Sequence, residues 1–336
     1  MSGCIQIRFA CTTLCALSLS APLAAQGLAD AVQFFAPRPA YRLLEGGRAL
    51  LNFFLRSAPV NPVEIDILDS TGALVRKLAP TTAHAGLNRV SWDLRYPPPR
   101  LVELRTTPPE NPHIWEEPRF QNARTRPIVH KGIEQAQLGP IAAPGQYTVR
   151  LTADGKTYAQ ALEILRPPDS HGTDADLQSS VRLQLRLRDD ISAVADMTNQ
   201  IERMRRQLED QHKTAGARTG GDALLQAMDE IDRKLQVVEY QLISRSDALS
   251  DEKYYVEAAR LYLNFLWLNG VMGTGTGKYA GSADYGQTET ALGLLFGLEK
   301  QLQTVQAEYR KLMQDDVAAY NRSVAASGIA PLSTGH

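Results

Sequence analysis

The sequence predicts a chain of two unlike parts: an antiparallel, immunoglobulin-like (fibronectin-III-like) β-sandwich, then an up-and-down helical bundle. Residues 86–95 (GLNRVSWDLR) and 144–156 (PGQYTVRLTADGK) place apolar side chains at every second position, the rhythm of strands with one buried face. After Pro168 the spacing changes to threes and fours and keeps that helical period almost to the end. The expected division is a leader at 1–25, the sandwich at 30–168 with a Pro-rich insert at 97–140, a four-helix bundle at 173–328 and a tail at 329–336.

Arg8 is the only charge in the first 25 residues, and residues 9–25 (FACTTLCALSLSAPLAA) form an apolar run that closes on small residues. This is the pattern of a secretory signal peptide, so export to the periplasm or the exterior is expected. The run is short and interrupted by Thr, Ser and Pro22, which fits a bilayer span poorly. No later segment is long and apolar enough to span. All three cysteines (Cys4, Cys11, Cys15) lie in the leader, so the processed chain would hold neither disulfides nor a Cys-ligated metal. Losing Arg8 leaves one fewer than 36 Lys and Arg against 37 Asp and Glu, a net charge near −2 that attracts no nucleic acid.

Strands are expected at 49–56, 63–68, 73–79 and 87–94, with two more around Tyr147, Val149 and Leu151 and around Tyr158, Gln160, Leu162 and Ile164. Asp69-Ser70-Thr71-Gly72 reads as a turn, and Asp154-Gly155 as a hairpin turn. Asn88, Trp92, Asp93, Arg95, Pro144, Gly145 and Tyr147 form the structural signature of this part. Trp92 alternates onto the core face, and Asp93 is expected to hydrogen-bond at the strand end. The insert carries nine of the chain's prolines together with His113, Trp115, Glu116, Glu117, Phe120 and His130. A loop of this length inside a compact domain is either functional or a cover for a neighbouring surface. Its candidate binding residues are His113, Trp115, Glu116 and Phe120, with Trp115 as a buried anchor if the segment is a cover. Two His 17 positions apart do not form a metal motif, and no metal or cofactor is expected.

Thr173 and Asp176 have capping-box spacing at the start of the first helix. Its apolar positions are Leu187, Ile191, Val194, Thr198, Ile201, Met204 and Leu208. Arg182, Arg186, Arg188, Arg203, Arg205 and Arg206 interleave with Asp189, Asp190, Glu202 and Glu209, as on a solvated face. Residues 212–221 read as a turn. Leu224, Met228, Ile231, Leu235, Val238 and Leu242 make a coiled-coil-like seam in the second helix. The third helix is expected to begin at 249–252 and to run into 261–268, apolar on nearly every side. The fourth carries Ala291, Leu295, Leu298, Leu302, Val305, Tyr309 and Leu312 and ends near Gly328. Short connectors favour folding within one chain over an intermolecular coiled coil, although the helices could also join two copies.

Chemistry-bearing motifs are sparse. Gly273-Thr-Gly275-Thr-Gly277-Lys278 lacks the spacing of a phosphate loop, and Tyr279 stands where Ser or Thr is required. Residues 282–288 (SADYGQT) follow the order of an aspartate box but occur once, between helices. Asp189-Asp190, Glu116-Glu117 and Asp315-Asp316 are adjacent acids rather than carboxylates facing each other across a cleft. There is no GxSxG elbow. No catalytic residue is identified.

Residues 34–43, 63–78, 86–97 and 139–156, in that order, resemble the C-terminal region of large secreted bacterial proteins of the sortilin-like or bacterial-neuraminidase-repeat "glycosyl hydrolase" type. The β part is also similar to the Ig-like domain of flagellar hook-capping type. Residues 174–178 (DADLQ), the helices after them and 316–332 are similar to the helical tail of the same proteins. The propeller repeats of those proteins have no counterpart here, and no residue matches a catalytic position. The resemblance therefore implies an accessory Ig-like plus helical module whose partner is a protein or a glycan in the cell envelope, such as a separately encoded propeller. The alternative is a carbohydrate-binding or hydrolase-associated subunit that uses the insert.

Overall fold

A computed structural model describes residues 31–43, 46–79, 82–129, 134–215, 221–249, 257–274, 281 and 284–333. The leader, His130, Gly277, Lys278 and the expected helix start at 250–252 lie outside them. The architecture is mixed β and α.

The strands are β1 (Val32–Phe34), β2 (Ala40–Tyr41), β3 (Ala49–Leu55), β4 (Glu64–Leu68), β5 (Leu74–Lys77), β6 (Gly86–Trp92), β7 (Glu103–Leu104), β8 (Arg126–Pro127), β9 (Gly145–Ala153) and β10 (Lys156–Leu165). One sheet has the order β1-β3-β6 and a second the order β2-β10-β9-β4-β5; β7 and β8 pair by themselves. Pairing is antiparallel except for β2 beside β10. Alternation decides which side chains turn inward: Leu51, Phe53 and Leu55 from the first sheet join Ile65, Ile67, Val149, Leu151, Leu162 and Ile164 from the second in one apolar cluster. Asp154 (φ 46) and Gly155 (φ 75) link β9 to β10 in a two-residue turn, Ala153 opposite Lys156, as the Asp-Gly pair predicts. The turn after β4 also forms as read, with the Asp69 carboxylate accepting hydrogen bonds from Thr71 N, Thr71 Oγ1 and Ala73 N.

Two strand expectations need correction. β1 and β2 were not foreseen, because they are three and two residues long and Pro37 and Pro39 interrupt the alternation between them. The strand expected at 87–94 ends at Trp92, and Leu94, fully buried, takes a left-handed conformation (φ 58). That conformation costs a branched residue about 1–2 kcal/mol, which burial of the side chain offsets.

The helices are α1 (Asp174–Ala215), α2 (Gly221–Leu242), α3 (Arg245–Leu249), α4 (Leu261–Asn269), α5 (Glu289–Lys311) and α6 (Ala318–Val324). π-helical turns extend α4 over Gly270–Thr274 and join α5 to α6 over Leu312–Val317. Thr173 caps α1 as its spacing predicts: Thr173 Oγ1 accepts from Asp176 N at 3.1 Å, and Asp176 Oδ2 accepts from Thr173 N at 3.1 Å. The third helix does not run unbroken from 249: residues 257–260 are not helical, and α4 starts at Leu261 behind an extended Arg260. The apolar positions of α1, α2, α4 and α5 meet in a second core.

Four residues of the insert, Val102, Leu104, Ile128 and Ala136, belong to that second core. In sequence the insert interrupts the β part; in packing it belongs to the helices.

Candidate functional site

The signature residues build the neck from which the insert leaves and to which it returns. Trp92 is fully buried and donates from Nε1 to Arg95 O at 2.9 Å, while Asp93 Oδ1 accepts from Arg95 N at 3.1 Å. Asn88 ties the preceding turn, accepting from His84 N and donating to His84 O and Gly86 O. Across the neck Tyr96 N donates to Pro140 O, Ala142 N donates to Leu94 O and Arg95 Nη1 donates to Gly139 O. Gly139 passes so close that a Cβ there would lie 2.1 Å from Tyr96 O. After buried Pro144 comes Gly145, whose φ of 147° is a glycine conformation. Tyr147 packs edge-to-face on Trp92 with centroids 6.1 Å apart and donates its hydroxyl to Ala143 O at 2.7 Å. Burial raises the pKa of that hydroxyl. Asp93 is thus the strand-end hydrogen-bonding residue the sequence suggests.

Beyond the neck, residues 100–107 lie extended along α1 and run in the same direction. Their polar groups are met in turn by one row of the helix. Arg100 N donates to Ser192 Oγ, and the Arg100 guanidinium forms a two-point ion pair with Asp196 at 2.6 Å. Asn199 receives Glu103 N at 2.7 Å and donates to Leu101 O at 3.0 Å. Glu202 accepts from Arg105 N, Thr106 N and Thr106 Oγ1. Glu209 accepts from Thr107 N at 2.9 Å. From the other side Tyr262 Oη accepts from Val102 N at 3.2 Å, and burial pushes the pKa of that hydroxyl up to about 12. The lengths match: seven extended steps cover about 23 Å, and the seventeen helical steps from Ser192 to Glu209 cover about 25 Å.

This row corrects the solvated-face expectation. Glu202 is fully buried, and Arg205 is 8% exposed. Arg205 bridges α1 to α2, at 2.6 Å from Glu239, 2.8 Å from Asp232 and 3.7 Å from Glu202. Burial pushes the Glu239 carboxyl well up, an effect the charge of Arg205 opposes and the neighbouring Glu202 reinforces. Burial by itself would lower the Arg205 guanidinium, but Glu239 and Asp232 override it and leave it raised. A second acid pair joins α1 to α5. Burial and the charge of Glu299 push Asp190 up to about 7, and Arg186 pairs with Glu299.

The candidate binding residues of the insert sit at its tip. Ile114, fully buried, is the anchor there, correcting the expectation for Trp115. Trp115 is half-buried, donates from Nε1 to Thr107 Oγ1 at 3.1 Å and meets Phe120 edge-to-face at 6.2 Å. The Arg119 guanidinium lies 4.9 Å over the Phe120 ring. His113 Nδ1 is 3.3 Å from Glu116 Oε1, with both side chains more than three-quarters exposed. Among the described residues no group of three or more His, Cys, Asp or Glu is placed to hold a metal ion.

The aspartate-box-like segment acts at the junction between the two cores. Asp284 Oδ1 accepts from fully buried Arg42 at 2.5 Å, and Arg42 Nε also donates to Ala142 O. A Cβ on Gly172 would lie 2.1 Å from Asp284 O. Gln287 donates to Ser180 Oγ and Met272 O, and Thr288 caps α5 by accepting from Ala291 N. Gly273, the first glycine of the phosphate-loop-like run, lies against the Gln184 side chain, and a Cβ there would be 2.6 Å from Gln184 Oε1. The sequence carried no signal for Arg42 as a buried ion-pair partner.

No family model matches the sequence, and no curated protein matches it either. Among the described residues no helix is long and apolar enough to cross a membrane.

Proposed function

We propose that this chain is an exported, non-catalytic interaction module: an immunoglobulin-like sandwich fixed to a helical bundle, presenting its outer surface to a protein partner in the cell envelope. Support for the sandwich comes from the order β1-β3-β6 over β2-β10-β9-β4-β5 and from Tyr147, which bonds back four residues as a tyrosine corner does. The single apolar core shared by α1, α2, α4 and α5 supports a helical bundle, in which α5 runs parallel to α1, since Arg186 meets Glu299 and Gln200 meets Tyr309. The resemblance to the tail of secreted propeller proteins supports export and an accessory role.

One observation carries the reading. The polar row of α1 that faces 100–107 is engaged in fixing the insert: Ser192, Asp196, Asn199, Glu202 and Glu209. The insert thus acts as a weld between the two parts. The carbohydrate reading is less well supported, since Trp115 gives its indole N–H to Thr107 and half its surface to the tip.

The test is cross-linking of the tagged protein in its native envelope, followed by affinity capture and mass spectrometry. The expected result is one protein captured in a saturable way and competed by untagged chain. Saturable hydrolysis of a glycan by the purified protein overturns the non-catalytic reading.

A further inference from the structure

Two clefts in the β part share Arg76. The first, of about 350 Å³, is lined by Gly46, Gly47, Arg48, Arg76, Ser91, Asp93 and Arg95 among others. The second, of about 590 Å³, lies between residues 73–77, Tyr96 and Pro97, and Leu185 and Arg188 of α1. Their linings also adjoin at the Arg95–Tyr96 step, so together they form one trough. β5 forms its wall and is the last strand of the five-stranded sheet, with a strand on one side only among the described residues. Leu74 on this strand is 57% exposed.

Arg48, Arg76 and Arg95 give the trough a surplus of positive charge over Asp69 and Asp93. Lys77 and Arg188 also line it but are paired with Glu64 at 2.9 Å and Asp189 at 2.6 Å. Asp69 and Asp93 are already engaged by hydrogen bonds in their own turns. Arg48 and Arg76 make no side-chain hydrogen bond or ion pair among the described residues. Burial lowers the Arg95 guanidinium, so it sits where an added anion would stabilise it.

Resting on the interaction-module reading, we infer that this trough binds an extended acidic peptide segment of the partner, added as a strand to β5 with its carboxylates on Arg48, Arg76 and Arg95. Strand addition supplies main-chain hydrogen bonds, and the alternate side chains of the added strand fall into the two clefts. The same cations keep β5 from pairing with a copy of itself and reject neutral or basic strands.

The test uses the purified full chain and a fluorescent peptide alternating Val and Glu, read by anisotropy. Saturable binding is expected, weakened by salt and reduced about tenfold or more in Arg76→Glu and Arg48→Glu. Thermal melts of both variants check that they remain folded. A peptide of the same charge with every Val replaced by Pro, which removes half of the amide donors and locks the backbone away from a strand, is expected to bind at least tenfold more weakly. The proposal is overturned if the Val/Glu peptide does not bind, if the Pro peptide or a polyuronate of equal charge binds as well, or if Arg76→Glu binds like the unaltered chain. An Arg76→Glu chain that still captures its envelope partner sinks the trough and leaves the module reading standing.

Discussion

The two acid pairs along α1 are built from the same residue types and behave differently. At Glu202 and Glu239 the acids share Arg205, whose side chain is 9% exposed, and Glu202 also receives two amides and a hydroxyl from the insert. At Asp190 and Glu299 the cation is Arg186, half in water at 51%, and no strand arrives to donate. Burial costs a carboxylate in both places, and fixed donors decide whether the cost is met. Near Glu202 burial pushes the Glu239 carboxyl up while Arg205 opposes it, and the rest of the cluster serves as glue. Near Glu299 burial and the neighbouring acid push Asp190 up to about 7.

The first way to break this comparison is to remove the better-satisfied acid. Glu202→Ala leaves the Arg105 and Thr106 amides and the Thr106 hydroxyl without their acceptor, so a loss of about 3–5 kcal/mol is expected in urea unfolding. Amide exchange at Arg105 and Thr106 should rise with it; unchanged protection at those two amides would refute the weld. A smaller effect is expected at the neck, where Gly139→Ala forces a methyl onto the Tyr96 carbonyl and should cost about 1–3 kcal/mol. An unchanged melting temperature would show that the two crossing chains are free to part.

The smallest effect concerns pH. The folded Asp190 binds its proton more tightly than an ordinary aspartate of pKa 3.8. Its stabilising share is therefore complete below that value and is lost as pH rises through about 7. Asp189, Arg186 and Glu299 are the other charges that face it. Asp190→Asn should flatten the fall of melting temperature between pH 5 and 8. An unaltered slope would assign the dependence to another group.

Alternation and spacing did not reach the two-residue β7 and β8 inside the insert, but revealed β3, β4, β5, β6, β9 and β10, the Asp-Gly turn, the Thr173 cap and the apolar faces of α1, α2 and α5. Those features are local, so sequence neighbours encode them. Short β1 and β2, broken by prolines, gave no period to read. The row Ser192, Asp196, Asn199, Glu202 and Glu209 was invisible for another reason. It has the composition of a wetted helix face, and only a partner about a hundred residues upstream turns it into a buried one. Its steps of four, three, three and seven keep one face of the helix, and that regularity in acceptor-bearing residues was the signal available. Arg42 and Asp284, 242 residues apart, left no trace in either local pattern.

The seating of 100–107 against α1 also has a bearing on biosynthesis. Every bond of that seam spans more than ninety positions, so Val102, Leu104 and Ile128 have nowhere to settle until the ribosome has completed the long helix. The β part has an apolar cluster of its own, but the apolar side chains of its insert wait for a surface made later in the chain. The seam between the insert and α1 therefore closes only after both have been synthesised, whatever the order in which the rest of the chain collapses.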